Sequence, residues 1–163
     1  MGGSLRTQYV FRSDELASTS RALSLVDDLL KNGELDARLR NQIELAFQEA
    51  LNNSLEHGNL ELDSMWREQF DERGVDLYAL TKAARLKDPN FGARKVTIIF
   101  EYDAQSLEIR IADEGPGFVP QPKPILAGDI LSSGRGLALI EECLDEVRYE
   151  RGGREVVMMK RFR

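Results

Sequence analysis

One cysteine and one histidine are all that the 163 residues hold of either type, and that scarcity excludes much metal chemistry. Cys143 by itself forms no internal disulfide and no Cys-rich zinc site. His57 by itself makes no histidine cluster. No apolar run approaches the ~20 residues that span a bilayer. The opening Met1-Gly2-Gly3-Ser4, followed by Arg6, Gln8 and Arg12, lacks the character of a secretory signal. A soluble, cytoplasmic protein with no membrane partner is expected. Positive charge is also short: 22 basic residues against 28 acidic leave a net charge of −6. Such a field repels nucleic acid, so no direct nucleic-acid partner is expected.

The length suits a single domain, residues 1–163, with one core. Residues 8–11 alternate as a short strand. Ser13 stands as an N-cap with Asp14 and Glu15 in the first turn. Leu16, Leu23, Val26, Leu29 and Leu30 then recur at helical spacing until Asn32-Gly33. A second helix starts near Asp36 and runs to about Glu56, stopped by Gly58. Residues 59–94 show no strand pattern and only weak helical periodicity, over residues 76–86. They read as an excursion closing at Asp88-Pro89.

From Lys95 the period is two. Val96, Ile98, Phe100 and Tyr102 share a face; after a short connection at Ala104-Gln105-Ser106, Leu107, Ile109, Ile111 and Asp113 share another. Residues 114–133 are loop-like, residues 137–144 read as a helix, and residues 147–150 and 155–162 form a hairpin about Gly152-Gly153. This order predicts an α+β fold. It is a two-layer α/β sandwich with a mixed, mostly antiparallel sheet and helices on one face.

Three short segments carry chemistry. Glu49, Asn53 and His57 are spaced four apart, so they stack on the second helix, on the flank of the stripe formed by Ile43, Ala46, Phe47, Ala50, Leu51, Ser54 and Leu55. Asn53 offers an oxygen to a hard cation such as Mg²⁺, and Glu49 a carboxylate able to take a proton. A solvated helix flank is the plain alternative, with His57 favourable to the helix dipole at its C-terminal end. Asp113 follows the alternating face inward at a strand end, where a carboxylate needs a donor. None sits at Ile111 or Gly115, so the donor is either a distant segment or a ligand, for example the exocyclic amine of adenine. Gly115 and Gly117 allow close approach of a flat ligand; a turn ending the strand is the alternative. Last, Ser132-Ser133-Gly134-Arg135-Gly136 opens the helix at Leu137, where free amides and the dipole favour phosphate and Arg135 offers charge. An ordinary glycine-rich helix start fits as well.

In order, these segments resemble the motifs of the GHKL (Bergerat-fold) ATPases. Glu49-Ala50-Leu51-Asn52-Asn53-Ser54-Leu55-Glu56-His57-Gly58 is similar to their N box. Asp113-Glu114-Gly115-Pro116-Gly117-Phe118 resembles their first glycine box, and Gly134-Arg135-Gly136-Leu137-Ala138-Leu139-Ile140 the second. Within that superfamily the likeness is to the bacterial anti-sigma factor serine/threonine kinases of the RsbW and SpoIIAB type, which Phe11-Arg12-Ser13 and Leu144-Asp145-Glu146-Val147 also fit. The resemblance implies ATP and Mg²⁺ as cofactors, Glu49 as general base and Asn53 as the Mg²⁺ ligand. It implies Asp113 as the reader of the adenine amine. His57, Gly115, Gly117, Gly134, Arg135, Gly136 and Leu137 complete the nucleotide-binding set.

The implied partner is a STAS-domain anti-sigma factor antagonist, phosphorylated on Ser or Thr. A sigma factor or other regulator is the alternative partner, often bound by a homodimer, with Arg21 as the nearest counterpart of a docking arginine. Residues 59–94 are an insertion relative to the compact kinases, and the proline-rich residues 120–133 imply a reduced lid. Those two departures motivate a second reading, a nucleotide-gated binding module that sequesters a regulator without appreciable kinase activity. Relatives with a second transducer domain need more chain than this, and no helix carries a phosphoacceptor histidine.

Overall fold

The computed structural model describes residues 2–16, 19–31, 35–117 and 134–162, with residues 134–137 described by backbone alone. The strands β1 (Leu5–Arg12), β2 (Lys95–Tyr102), β3 (Ser106–Ala112), β4 (Glu146–Glu150) and β5 (Glu155–Arg161) form one sheet in the order β1-β2-β3-β5-β4. The α+β architecture expected from the sequence is present. Its sheet is antiparallel at every neighbouring pair described, so the parallel component of the expected mixed sheet is absent there. Tight connections impose this on the β2–β3 and β4–β5 pairs, because a parallel pair needs a long crossover.

Alternation decides which face is covered. Val96, Ile98, Phe100, Leu107, Ile109, Ile111, Val156 and Met158 are buried. The registers Ile98↔Ile111↔Val156 and Phe100↔Ile109↔Met158 align them in cross-strand rows. Over them lie α1 (Ser20–Lys31), α2 (Ala37–Asn52) and α5 (Gly134–Cys143), with α2 touching α1, α5 and β3. The predicted stripe on α2 is buried throughout, continuing through Ser54 and Leu55. Phe47 meets Phe100 of the sheet at a ring separation of 5.8 Å.

Several boundaries differ from the sequence expectation. Ser13 caps no long helix: it opens a single 3₁₀ turn (Ser13–Leu16), and α1 begins at Ser20. Its N–H and its hydroxyl both donate to Arg94 O, at 2.8 Å each, so the hydroxyl is engaged with the excursion. Asp36 does cap α2, accepting from Leu39 N at 2.8 Å. Past Asn52 the helix widens into a π turn (Asn53–Asn59). The helix expected at residues 76–86 is α3 (Leu77–Lys87), capped by Asp76, and α4 (Pro89–Gly92) follows it. α5 is helical from Gly134, three residues before the expected start. The stop at Asn32-Gly33 and the lid at residues 120–133 lie outside the described residues. Among the described residues no helix is long and apolar enough to cross a membrane.

Candidate functional site

The end of β3 and the π turn lie side by side in the wall of a cavity of about 480 Å³. Apolar Ala50, Ile140 and Val156 and polar Asn53, His57 and Asp113 line it, the mixture typical of small-molecule sites. Two of the three segments picked out by sequence thus open onto one space.

Asp113 stands one residue beyond β3, carried to the covered side by the alternation of Leu107, Ile109 and Ile111. Its Oδ1 accepts the Gly115 N–H at 2.8 Å. Its other oxygen accepts no hydrogen bond among the described residues. Burial dominates its electrostatics and pushes its pKa from the ordinary 3.8 up to about 6, against the opposing pull of the Gly115 amide, Arg154 and Arg94. The result is a desolvated acceptor, largely ionised at neutral pH, with one oxygen unused at a cavity wall.

Two glycines make this approach possible. A Cβ on Gly58 would lie 2.5 Å from Asp113 Cγ and 2.6 and 2.8 Å from its two oxygens. A Cβ on Gly115 would collide with the Gly58 carbonyl oxygen. The strand end and the π turn therefore interlock: a side chain at Gly115 would force them apart, and one at Gly58 would displace the Asp113 carboxylate.

Asn53 and His57 are half-buried. The Asn53 carboxamide makes no hydrogen bond to protein among the described residues, which leaves its oxygen available as a ligand. His57 Nδ1–H donates to Leu62 O at 2.7 Å; a carbonyl only accepts, so the ring hydrogen is on Nδ1 and Nε2 remains for the cavity. Gly117 also borders the cavity, whereas Glu49 and Gly115 are not among its described lining residues. Gly115 is packed beneath it. Glu49 sits one turn before Asn53, about 6 Å back along the axis. Gly134, Arg135, Gly136 and Leu137 form the first turn of α5 rather than preceding it. Amides of a first turn have no intrahelical acceptor, and the same helix sends Ile140 to the cavity wall.

The sequence model of the histidine kinase-like ATPase domain matches residues 79–160, half of the chain. The chain belongs to that family. It is an ATP-binding domain, and at the same coarse level it has the kinase-like use of ATP that the family name describes. No curated protein matches it. The matched stretch of this ATPase domain runs from α3 to β5 and includes Asp113, its glycines and α5. Glu49, Asn53 and His57 precede the match, so the sharing of one cavity by Asn53, His57 and Asp113 is a finding of the structure.

The cavity fits a nucleotide on its own chemistry: an unused carboxylate oxygen for an exocyclic amine, and apolar walls for a ring. Among the described residues no three His, Cys, Asp or Glu side chains could hold a metal. A cation here would rely on Asn53 and on phosphate oxygens, the mode Mg²⁺ favours.

Sequence reasoning missed the group that braces this site. Asn59 is fully buried, and its carboxamide donates to Ser13 Oγ at 2.9 Å and Lys95 O at 3.0 Å while accepting from Glu114 N at 2.7 Å. Three distant segments are thereby tied behind Asp113. The excursion is fastened beside it. Glu56 accepts from Lys82 at 2.8 Å, from Arg67 at 3.3 Å and from the Tyr78 hydroxyl. Burial acts to raise the Glu56 pKa, but the Lys82 and Tyr78 hydrogen bonds outweigh it and hold the group below its usual value. Arg85 donates to both Leu60 O and Glu61 O at 2.6 Å. No spacing signal announces these contacts, because each joins residues more than ten positions apart.

Proposed function

We propose that this ATPase domain is an ATP-dependent protein serine/threonine kinase of the anti-sigma factor type, acting on a STAS-domain antagonist in a bacterial partner-switching circuit. The observation that carries the nucleotide part is the unused oxygen of Asp113, desolvated at the cavity wall and held there by Gly58. In this reading Asp113 accepts the adenine amine. Asn53 holds Mg²⁺ together with the phosphates, and the first-turn amides of α5 receive phosphate oxygens. ATP supplies the γ-phosphoryl group. The substrate hydroxyl oxygen forms the new bond to phosphorus as the bond to ADP breaks, and Glu49 takes the hydroxyl proton.

Thermal shift with Mg-ATP against Mg-GTP tests the first step: ATP stabilises and GTP does not, because a keto oxygen opposes a carboxylate. Equal shifts remove Asp113 from the role. Incubation with Mg-[γ-³²P]ATP and candidate STAS proteins tests the second. Transfer that Glu49→Ala abolishes supports the kinase, and transfer undiminished in that variant removes Glu49 as base.

A second reading has one observation in its favour: Glu49 is not among the described residues that line the cavity. A nucleotide-gated module that sequesters a sigma factor or another regulator, as a monomer or homodimer, needs no base. Nucleotide binding by calorimetry with no transfer to any STAS partner supports this module.

A further inference from the structure

No motif marks Arg154, yet it stands at the cavity beside Asp113. The β3–β5 register pairs Ala112 with Glu155, so Asp113 and Arg154 are the next neighbours, and Asp113 N donates to Arg154 O at 2.8 Å. The Arg154 side chain then runs along the glycine turn. Its Nε donates to Gly115 O at 3.0 Å, and a Cβ on Gly117 would stand 3.4 Å from its Cγ. Gly115 is consequently held at both polar ends, its N–H by Asp113 and its carbonyl by Arg154. The two Nη groups make no hydrogen bond or ion pair among the described residues, and the residue lines the cavity.

We propose that Arg154 is a positioning residue for purine recognition: it clamps the Gly115–Gly117 turn and keeps the adjoining carboxylate negative, so that Asp113 accepts an exocyclic amine at neutral pH. This rests on the nucleotide reading above. Other charges surround Asp113. Arg94, just before β2, donates at 2.7 Å to both Asn59 O and Glu61 Oε2, so its charge is already matched. His57, Glu61 and Asp63 share the cavity from the π turn and the segment after it. Arg135 belongs to α5, with its side chain outside the description. Of the two arginines whose charge reaches Asp113, Arg154 is the one without an acidic partner among the described residues.

The test uses the full chain with Arg154→Ala, Arg154→Lys and Asp113→Asn. The Asp113 carboxyl is titrated by ¹³C NMR without nucleotide, and Mg-ATP affinity is measured by calorimetry between pH 5 and 8. Arg154→Ala raises the titration midpoint by on the order of 0.5 unit and weakens ATP several-fold at pH 7. Arg154→Lys returns the midpoint but not the full affinity, because an ammonium does not reproduce the Nε–carbonyl geometry. An unmoved midpoint and pH profile in Arg154→Ala, whatever its melting temperature, overturns the inference. A midpoint that moves while Asp113→Asn binds ATP like wild type leaves the clamp standing and overturns the purine reading instead.

Discussion

Around Asp113 the cavity wall is backbone packed on backbone, whereas around Asn53 it is a helix flank whose carboxamide bonds to nothing in the described protein. At the first end Gly58 and Gly115 interlock, Asn59 ties Ser13, Lys95 and Glu114 together, and Arg154 holds the turn. At the second, Asn53 is an open acceptor and the start of α5 supplies first-turn amides. The contrast matches what each end would meet. A planar base has a fixed outline and donor pattern, so a preorganised wall recognises it at little cost in ordering. Phosphates and a cation bring their own charge and coordination geometry, so groups without protein partners suffice. Damage at the braced end should therefore spread into the fold, and damage at the open end should remain a binding defect.

The largest effect is expected at Asn59. Asn59→Ala strands the Glu114 amide and removes two donors from Ser13 and Lys95 in a buried setting, a loss of about 3 kcal/mol, or a fall in melting temperature of roughly 6–12 °C for a chain of this size. Thermal unfolding of the nucleotide-free variant reads it directly. A shift under about 2 °C would mean that the brace is replaceable and that the two ends differ less than their geometry indicates. Next comes Gly58→Ala. The added methyl falls on the Asp113 carboxylate, whose short side chain can yield only by turning out of the cavity. ATP affinity drops by about 100-fold, near 2.7 kcal/mol, and the unfolding temperature falls as well, by less than at Asn59 because the methyl displaces a side chain and not backbone.

How much of this was legible in the sequence follows from range. The strand faces and the buried stripe of α2 repeat at the periods that burial demands, so Ile98, Phe47 and the inward turn of Asp113 could be read from spacing alone. The helix starts expected near Asp36 and at residue 76 are where the structure has them, and there each aspartate accepts from the amide three residues on. Ser13 has the same chemistry but a different job, because its hydroxyl is used by Arg94, 81 positions away. The π turn escaped notice since a wider turn leaves the apolar period nearly intact. Asn59 and Arg154 escaped because their importance depends on the β3–β5 register and on which segment lies behind which. The matched family stretch, which starts at residue 79, likewise leaves the helix of Asn53 to the structure.

A smaller effect follows from the titration of Asp113. Its folded-state pKa, about 6, lies above the ordinary 3.8, so the folded protein holds this proton more tightly than the unfolded chain. The group's contribution to stability is present below about pH 4 and is lost as pH rises through 6. Nucleotide affinity runs the other way, since only the carboxylate accepts an amine. Below pH 6 ATP affinity should fall by up to about tenfold per pH unit for this one proton. Asp113→Asn should flatten that slope and weaken the preference for ATP over GTP. A wild-type slope retained by the variant would locate the titrating group elsewhere in the cavity.

The smallest effect, and the sharpest contrast with Asn59, belongs to Asn53. Its side chain has no hydrogen bond in the described protein to lose, so Asn53→Ala should leave the unfolding free energy of the nucleotide-free protein within about 0.5 kcal/mol of wild type. Binding should change only in one respect. ATP affinity without divalent cation is retained, and the increment that Mg²⁺ adds is lost, several-fold in calorimetric titrations run with and without the metal. The two asparagines lie six positions apart, one closing a buried network and the other facing a cavity. If Asn53→Ala instead unfolds the protein as Asn59→Ala does, the open end is structural and the cation must be held elsewhere. If it changes neither stability nor the Mg²⁺ increment, Asn53 is a helix-flank residue, and Glu49, one turn back, becomes the side chain to test against the metal.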